Sequence, residues 1–297
     1  MNKLTFSILS AVLLAVTSCN SYNSLQKSTD NDYKFEAAKQ YYAEGYYNRA
    51  TLLLHDVLAA MKGTNKGEET LFLLAMSSMN AHDYEAASSY FKKFYESYPN
   101  SIYTEKAWYY SGVTLYMDTP EPKLDQSITY DALKQFHQFL ERYPMSSLRN
   151  DAQMKIFELQ DKLVEKEYLS AKLYFDLGTY FMNCSNGGSN YQACVITAEN
   201  AIRDYPYSSK REEFAFLILR AKYELARNSI ESRKVERYNS AIDEYYGFSN
   251  EYPESQHMKA ATEMFNKAQA AVKKQGGVIS GTEDEYGDTT TKSTNAE

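Results

Sequence analysis

Side chains that could perform acid, base or metal chemistry are sparse in this sequence. There is no Cys-x-x-Cys pair, no His-Glu-x-x-His helix, and no phosphate-binding glycine loop after a strand. The acidic residues are spread along predicted helix faces, where solvated carboxylates are ordinary. The four histidines are scattered, and none has a second histidine or a cysteine three or four residues away; they are His55, His82, His137 and His257. We therefore expect no enzymatic activity, no catalytic residue, no metal site and no cofactor.

Cys19 lies in a context that predicts a lipid attachment. Lys3 precedes an uncharged run over residues 4–16, and Thr17 and Ser18 follow, which is the order of a secretory signal peptide. The run is shorter than the about 20 residues of a membrane-spanning helix. The cysteine directly after the small residues resembles the lipobox of bacterial lipoproteins, in which the signal is removed and the cysteine carries the lipid. The alternative is a plain signal peptide with an incidental cysteine.

The charge balance argues against some partners. The formal net charge is −7, and removal of residues 1–18 takes away only Lys3, giving −7 − 1 = −8. A mildly acidic chain without a basic block is not expected to bind nucleic acid or to adhere to anionic lipid by charge. Cys184 and Cys194 remain after Cys19; they either form a disulfide or stay reduced, one in a loop and one packed in a helix.

A short motif, Tyr-Pro, any residue, then Ser, occurs four times, each time between two helix-patterned stretches. Proline ends a helix because it lacks a backbone N–H and disfavours helical geometry in the preceding residue. The serine is a residue type that caps a following helix. Repetition of this joint predicts a stacked array of helix pairs. The copies are residues 98–101, 143–146, 205–208 and 252–255.

Small residues recur where tetratricopeptide repeats need them for close approach of neighbouring helices. The predicted fold is therefore an all-α tetratricopeptide-repeat superhelix of about five helix pairs with a C-terminal capping helix. A helical bundle without a superhelix is the alternative. We predict a signal peptide over residues 1–18, a flexible tether over 19–31, the repeat solenoid over 32–275 and a disordered acidic tail over 276–297. The small residues include Ala38, Ala50, Ala75, Ala87, Gly112, Ala132 and Ala221.

Aromatic residues are frequent, with 28 tyrosines and 14 phenylalanines. In such a superhelix the first helix of each pair lines the inner wall, and in the first three pairs these positions carry rings, thioethers and two lysines. Rings bury large areas at low entropic cost, methionine adapts to different partners, and a lysine can pair with a peptide carboxylate. We predict a peptide-binding groove, with interhelical core as the alternative. Its residues are Phe35, Lys39, Tyr42, Phe72, Met76, Met79, Lys106, Tyr109 and Tyr116.

Taken together, Cys19, the four joints and the five repeats resemble the BamD (YfiO) family of lipoproteins of the outer-membrane β-barrel assembly machinery. Residues 167–178 and 201–206 look like that family's fourth repeat, with an insertion around residues 183–190. The resemblance covers essentially residues 19–275. It implies a scaffold that is anchored to the outer membrane through acylated Cys19 and faces the periplasm.

The resemblance also implies partners. The C-terminal repeats would bind the barrel subunit of the machinery, alongside other assembly lipoproteins, with Arg220, Lys222 and Arg227 as surface candidates. The N-terminal repeats would receive unfolded β-barrel precursors, whose C-terminal signal is typically aromatic.

Two other functions remain open because fold does not settle function. One is another periplasmic tetratricopeptide adaptor of the kind that partners the Tol–Pal system, against which Cys19 and the lack of early heptads count. The other is a glycan-binding lipoprotein of the nutrient-uptake type, but such chains are much longer.

Overall fold

The computed structural model describes residues 22–180 and 189–281, and in both ranges the protein is all-α. A short helical segment over residues 22–26 comes before eleven longer helices, and none of the described residues lies in a β-strand. The all-α prediction is confirmed. The helices are α1 (Asn31–Ala43), α2 (Tyr47–Met61), α3 (Gly67–Asn80), α4 (Tyr84–Ser97), α5 (Thr104–Met117), α6 (Ser127–Arg142), α7 (Arg149–Leu177), α8 (Asn190–Asp204), α9 (Arg211–Arg227), α10 (Glu231–Glu251) and α11 (Met258–Lys274).

These helices form the predicted five pairs, α1/α2 to α9/α10, followed by the single helix α11. The chain divides into two compact units, one up to Gln160 and one from Asp161 onward, and the division falls inside α7. The first unit contains α1 to α6 with the first part of α7, whose Ile156 and Leu159 pack against Phe136 and Phe139. The second unit contains the rest of α7 and α8 to α11.

The small residues allow close helix packing as the repeat pattern predicts. Ala and Gly at these positions leave room for a large side chain from the neighbouring helix. A methyl group built on Gly112 would lie 2.8 Å from Cε1 of Phe136, so α5 and α6 approach too closely there for any larger residue. The alanines with no exposed surface at the predicted positions are Ala38, Ala50, Ala75, Ala87, Ala132 and Ala221.

The four Tyr-Pro-x-Ser joints share one hydrogen-bonded geometry. The serine N–H donates to the tyrosine carbonyl oxygen at 3.1 Å in every copy. The serine Oγ then accepts the backbone N–H two residues on, at 3.0 to 3.1 Å. In three copies the tyrosine ring also contacts the phenylalanine four residues before it, with ring centroids 5.4 to 5.7 Å apart. The joint is therefore a rigid turn rather than a loose linker.

The expected role of the serine as helix cap needs correction. Each following helix begins three residues after the serine, at Thr104, Arg149, Arg211 and Met258. In each case the serine Oγ accepts a hydrogen bond from the backbone N–H of the residue just before the helix. The serine therefore stabilises the turn that leads into the helix. In the joints at Ser101, Ser146 and Ser255 the hydroxyl also donates to a glutamate in the first turn of the preceding pair.

Helix α11 covers the end of the second unit. Ala268 and Val272 are buried against Tyr238 and Ile242 of α10, whereas its lysines point to solvent. One apolar and one polar face are what the end of a helical stack needs, because no further pair covers the outer face. The chain then continues along α10, where the Asn239 Nδ2 donates to the Val278 carbonyl at 2.9 Å and Ile279 is buried. Residues 276–281, the start of the predicted disordered tail, are therefore packed against α10, and the rest of that tail lies outside the described residues.

The described part of the predicted tether is packed against the first helix pair. Residues 22–26 are helical, and Leu25, which is 6% exposed, belongs to the core formed by α1 and α2. The Tyr22 ring meets Tyr41 edge to face at 5.6 Å. Asp30 then caps α1, because its Oδ1 accepts the Tyr33 N–H at 3.0 Å. The described chain is therefore already packed nine residues before α1.

Candidate peptide-binding surface

All nine residues of the predicted groove lie on the first helices α1, α3 and α5 of the first unit. They differ strongly in exposure. Phe35 is 1% exposed and Tyr109 is 7% exposed, so both belong to the core. The others are half-buried except Lys106, which is exposed. Peptide binding by this set stays a prediction, and the structure leaves seven of the nine side chains accessible to a ligand.

Lys39 has an intramolecular partner. Its ammonium group lies 2.7 Å from Glu69 Oε1 and 5.3 Å from the centre of the Phe35 ring. The hydrogen bond to Glu69 raises the pKa of Lys39. The Lys66 ammonium contacts the same ring from 5.3 Å. A ligand carboxylate would therefore share the Lys39 ammonium group with Glu69, which already neutralises its charge.

The half-buried rings and thioethers of α3 form an apolar strip. Phe72 stacks on Tyr103 with ring centroids 4.9 Å apart, and its edge contacts Phe91 and Phe94 at 5.9 and 5.3 Å. Met76 and Met79 pack against the same core on the side toward solvent. Such a strip offers an adaptable apolar contact for a side chain from a partner.

Tyr42 extends the strip toward α1. Its hydroxyl oxygen accepts a hydrogen bond from Asn80 Nδ2 at 3.2 Å, and its ring meets Tyr47 edge to face at 5.5 Å. Burial raises the pKa of Tyr42, so the phenol stays neutral at physiological pH. The ring is held in place by these contacts and is half-buried.

Tyr109 and Tyr116 of α5 bind carboxylates of α7. Tyr109 donates its hydroxyl proton to Asp151, and Tyr116 donates to Glu158, so two residues spaced by seven contact two others with the same spacing. Burial, followed by the bond to Asp151, raises the pKa of Tyr109. The bond to Glu158 raises the pKa of Tyr116 to about 12. These phenols hold α5 against α7 and are not available as donors to a ligand.

Lys106 is the lysine of the groove that remains accessible. It lies in the first turn of α5, is exposed, and has no ion-pair partner among residues 22–180 and 189–281. An unpaired ammonium near an apolar strip can bind the terminal carboxylate of a peptide. Of the two predicted lysines, Lys106 is therefore the one that the structure favours for this contact.

Sequence reasoning missed a second aromatic site in the first unit. Trp108 stacks on Tyr95 with ring centroids 4.0 Å apart, and the Arg142 guanidinium lies 5.6 Å from the Trp108 ring. These side chains, with Lys134 and Gln138, line a cleft of about 630 Å³ between α4, α5 and α6. The sequence shows an aromatic residue near the end of α4 and another near the start of α5. It does not show that the two rings are exposed, because their exposure depends on the angle at which the helices pack.

The C-terminal surface candidates are engaged within the second unit. The Arg220 guanidinium lies 4.2 Å from the Phe175 ring, and Arg227 pairs with Glu224 at 3.1 Å. Lys222 pairs with Glu244 at 2.6 Å. All three side chains therefore already have a partner within the second unit.

The cysteines show different positions. Cys194 is a free thiol with no exposed surface, and burial raises its pKa to about 12. Cys19 and Cys184 lie outside the described residues, as does the insertion around residues 183–190 except at its end. Within residues 22–180 and 189–281, no three His, Cys, Asp or Glu side chains are grouped to hold a metal ion, and no helix there is long and apolar enough to span a membrane.

Comparison with known proteins agrees with this architecture. The sequence profile of the YfiO family of outer-membrane lipoproteins matches residues 26–187, which is more than half of the chain. The outer membrane protein assembly factor BamD of Pasteurella multocida is 22% identical over 186 residues, covering 59% of this chain and 71% of that protein. The match includes the first three helix pairs with their joints, and the chain belongs to the YfiO family of outer-membrane lipoproteins.

Proposed function

We propose that this protein is a lipid-anchored scaffold of the outer-membrane β-barrel assembly machinery, binding the barrel subunit and unfolded barrel precursors from the periplasmic side. The observation that carries the proposal is the array of five helix pairs with four matching joints in a chain of the YfiO family. The similarity to a protein named as an assembly factor supports the same role. The surface described above offers half-buried rings, thioethers and an exposed ammonium group, which suit protein binding.

The anchor in this proposal is the acylated Cys19. Acyl chains contribute about 0.8 kcal/mol per buried methylene, so several chains on one residue anchor a protein stably. Cys19→Ala should release the protein from the membrane fraction into the soluble periplasmic fraction. Retention of the variant in washed membranes at high salt would contradict the anchor, since the acidic net charge of −7 − 1 = −8 without residues 1–18 gives no electrostatic substitute.

The partner is tested by a mild-detergent pull-down of the lipidated chain. A co-purifying outer-membrane barrel with periplasmic repeat domains supports the proposal. Recovery of a Tol or Pal component instead would favour the adaptor function, and recovery of a sugar transporter would favour the nutrient-uptake function. Exchange of Lys222 and Glu244 tests whether this surface contacts the barrel subunit. The exchanged residues can still form the ion pair, whose atoms lie 2.6 Å apart in the wild type, but the charge pattern on α9 and α10 is altered.

Precursor binding is assigned to the apolar strip of α3 with Lys106 beside it. A peptide that ends in an aromatic residue with a free carboxylate should bind the wild-type chain more tightly than the same peptide with a C-terminal amide. Lys106→Glu should weaken binding of the acid and leave binding of the amide nearly unchanged, because only the acid can pair with the ammonium. Because Lys106 is exposed and its charge is screened by solvent, loss of this contact costs about 0.5–1 kcal/mol, or about 2- to 5-fold in Kd.

A matched control separates this contact from overall charge. Lys93 is exposed on α4, the second helix of its pair, so Lys93→Glu makes the same charge change away from the groove. Equal effects of both variants would show that only long-range charge matters and would remove Lys106 from the site. Substitution of Phe72 or Tyr109 is a poor test, since each packs against other rings and its loss would destabilise the first unit.

A further inference from the structure

Residues 22–26, which begin three residues after Cys19, pack against one end of the first helix pair. Tyr22 packs against Tyr41 near the end of α1, and Leu25 enters the core of the pair. The Arg49 guanidinium lies 5.1, 5.5 and 5.2 Å from the rings of Tyr22, Tyr41 and Tyr46. Residues 22–30 therefore run back along α1, from the turn that joins it to α2 toward its own start.

Chain length then limits the distance between the lipid and this turn. Asn20 and Ser21 are the residues between Cys19 and Tyr22, so three Cα–Cα steps of 3.8 Å span at most about 11 Å. The headgroup layer on each side of a bilayer is about 5–8 Å thick. A tether that was free up to residue 31 would instead allow about 40 Å.

The surface at this turn suits the interface of a membrane. Tyr46 is 52% exposed, and Tyr is a residue type enriched at the level of lipid headgroups. The turn between α3 and α4 lies beside it, since Gly45, Tyr47, Asn80 and His82 line one cleft of about 370 Å³. Ring edges, amides and small residues can contact headgroups without a basic patch.

We propose that the turn between α1 and α2, with Tyr46 at its tip, contacts the lipid headgroups of the membrane that holds the protein. The partner is a lipid surface, and the inference rests on the proposed acylation of Cys19. The anchor then fixes which end of the first helix pair faces the membrane, so the opposite end of α1, at Tyr33, points away from it.

Fluorescence quenching by a headgroup nitroxide tests this orientation. The acylated protein carrying Trp108→Phe is reconstituted in phosphatidylcholine vesicles with a spin label on part of the choline headgroups. Tyr46→Trp places the only tryptophan at the turn, and Tyr33→Trp is the matched control, because Tyr33 is 58% exposed and lies at the other end of α1, about 15 Å away along the helix axis. We expect strong loss of emission for Tyr46→Trp and little loss for Tyr33→Trp.

Release of the docked segment provides a second readout. Tyr22→Ala with Leu25→Ala should free residues 22–30, and the quenching of Tyr46→Trp should then fall toward the value of the control. Gln26→Ala, at an exposed position of the same segment, should leave the quenching unchanged. Circular dichroism verifies that each variant remains helical.

The outcomes separate the two proposals. Equal quenching at both ends of α1 would overturn the orientation, even if the protein co-floats with the vesicles and retains its barrel partner. Failure to co-float would overturn the anchor and with it the orientation, whereas the pull-down tests the assembly role independently. Quenching of Tyr33→Trp above that of Tyr46→Trp would show that the opposite end faces the lipid.

Discussion

Removal of the joint serine hydroxyl should reveal how much the bond to the preceding helix pair contributes to stability. Ser255 and Ser208 form a matched pair because both lie in the second unit. In both, the serine Oγ accepts a hydrogen bond from the backbone N–H two residues on, at 3.0 and 3.1 Å. Ser255 in addition donates to Glu212 Oε1 at 2.6 Å. At the Ser208 joint, Glu165 stands at the same spacing in the chain but binds Lys210 Nζ at 2.8 Å instead.

The magnitude follows from this difference. A neutral hydrogen bond contributes about 0.5–1.5 kcal/mol net, and one to a charged group about 1.5–3 kcal/mol. Since the serine and glutamate of the joint are both partly buried, we expect Ser255→Ala to lower the free energy of unfolding by about 2–3 kcal/mol and Ser208→Ala by about 1 kcal/mol. With an m-value of about 2 kcal/mol/M, the urea midpoints should differ by about 0.5–1 M.

The assay is urea unfolding followed by circular dichroism, with hydrogen exchange to locate the effect in the second unit. Glu212→Gln keeps an acceptor without charge, and its double-mutant cycle with Ser255→Ala isolates the coupling of the two side chains. Equal losses for the two alanine variants, together with a coupling near zero, would refute the view that the serine–glutamate bond joins successive pairs.

Two further predictions concern packing and pH. Gly112→Ala should destabilise the protein by about 1–3 kcal/mol because its methyl group would collide with the Phe136 ring, whereas Gly247→Ala, at a site with nothing within 4 Å, should stabilise by about 0.5–1 kcal/mol, both measured by chemical unfolding. Tyr116 has a folded pKa of about 12, above its ordinary value of 10.0, so its contribution to stability is complete below pH 10 and is lost as the pH rises toward 12. Between pH 9 and about pH 11.5 the free energy of unfolding should fall less for Tyr116→Phe than for the wild type. Identical decreases would contradict the assignment of this pH dependence to Tyr116.

The repeat architecture could be predicted from the sequence because it depends on local rules. Proline must end a helix, and close helix contacts require small residues, so the joints and residues such as Ala75 and Gly112 fix the register independently of the rest of the fold. The hydrogen bonds of the joint could not be predicted in the same way. Glu105 precedes Ser146 by 41 residues, and only the packing of successive pairs brings the two side chains together.

The burial of the groove residues shows the limit of helical periodicity. Phe35 and Phe72 stand at the same position of the repeat pattern, but Phe35 is buried and Phe72 is half-buried. The same position has the same surroundings only where the neighbouring elements are also the same. Lys39 and Lys66 lie against the Phe35 ring, whereas Tyr103 stacks on Phe72. The docked segment was missed for a related reason, since Leu25 is a lone apolar residue in a polar stretch.

Selectivity of the proposed groove then depends on few side chains. Tyr109 and Tyr116 already donate to Asp151 and Glu158, and these carboxylates add negative charge beside α5. Negative charge near a binding site disfavours a peptide carboxylate unless a cation lies close to it. Lys106, in the first turn of α5, supplies that cation. This end of α5 lies nearest the apolar strip, because Phe72 of the strip stacks on Tyr103, which directly precedes α5. A peptide should therefore bind with its terminal carboxylate at Lys106 and its aromatic side chains along Met76 and Met79, and a peptide of reversed sequence should bind less tightly.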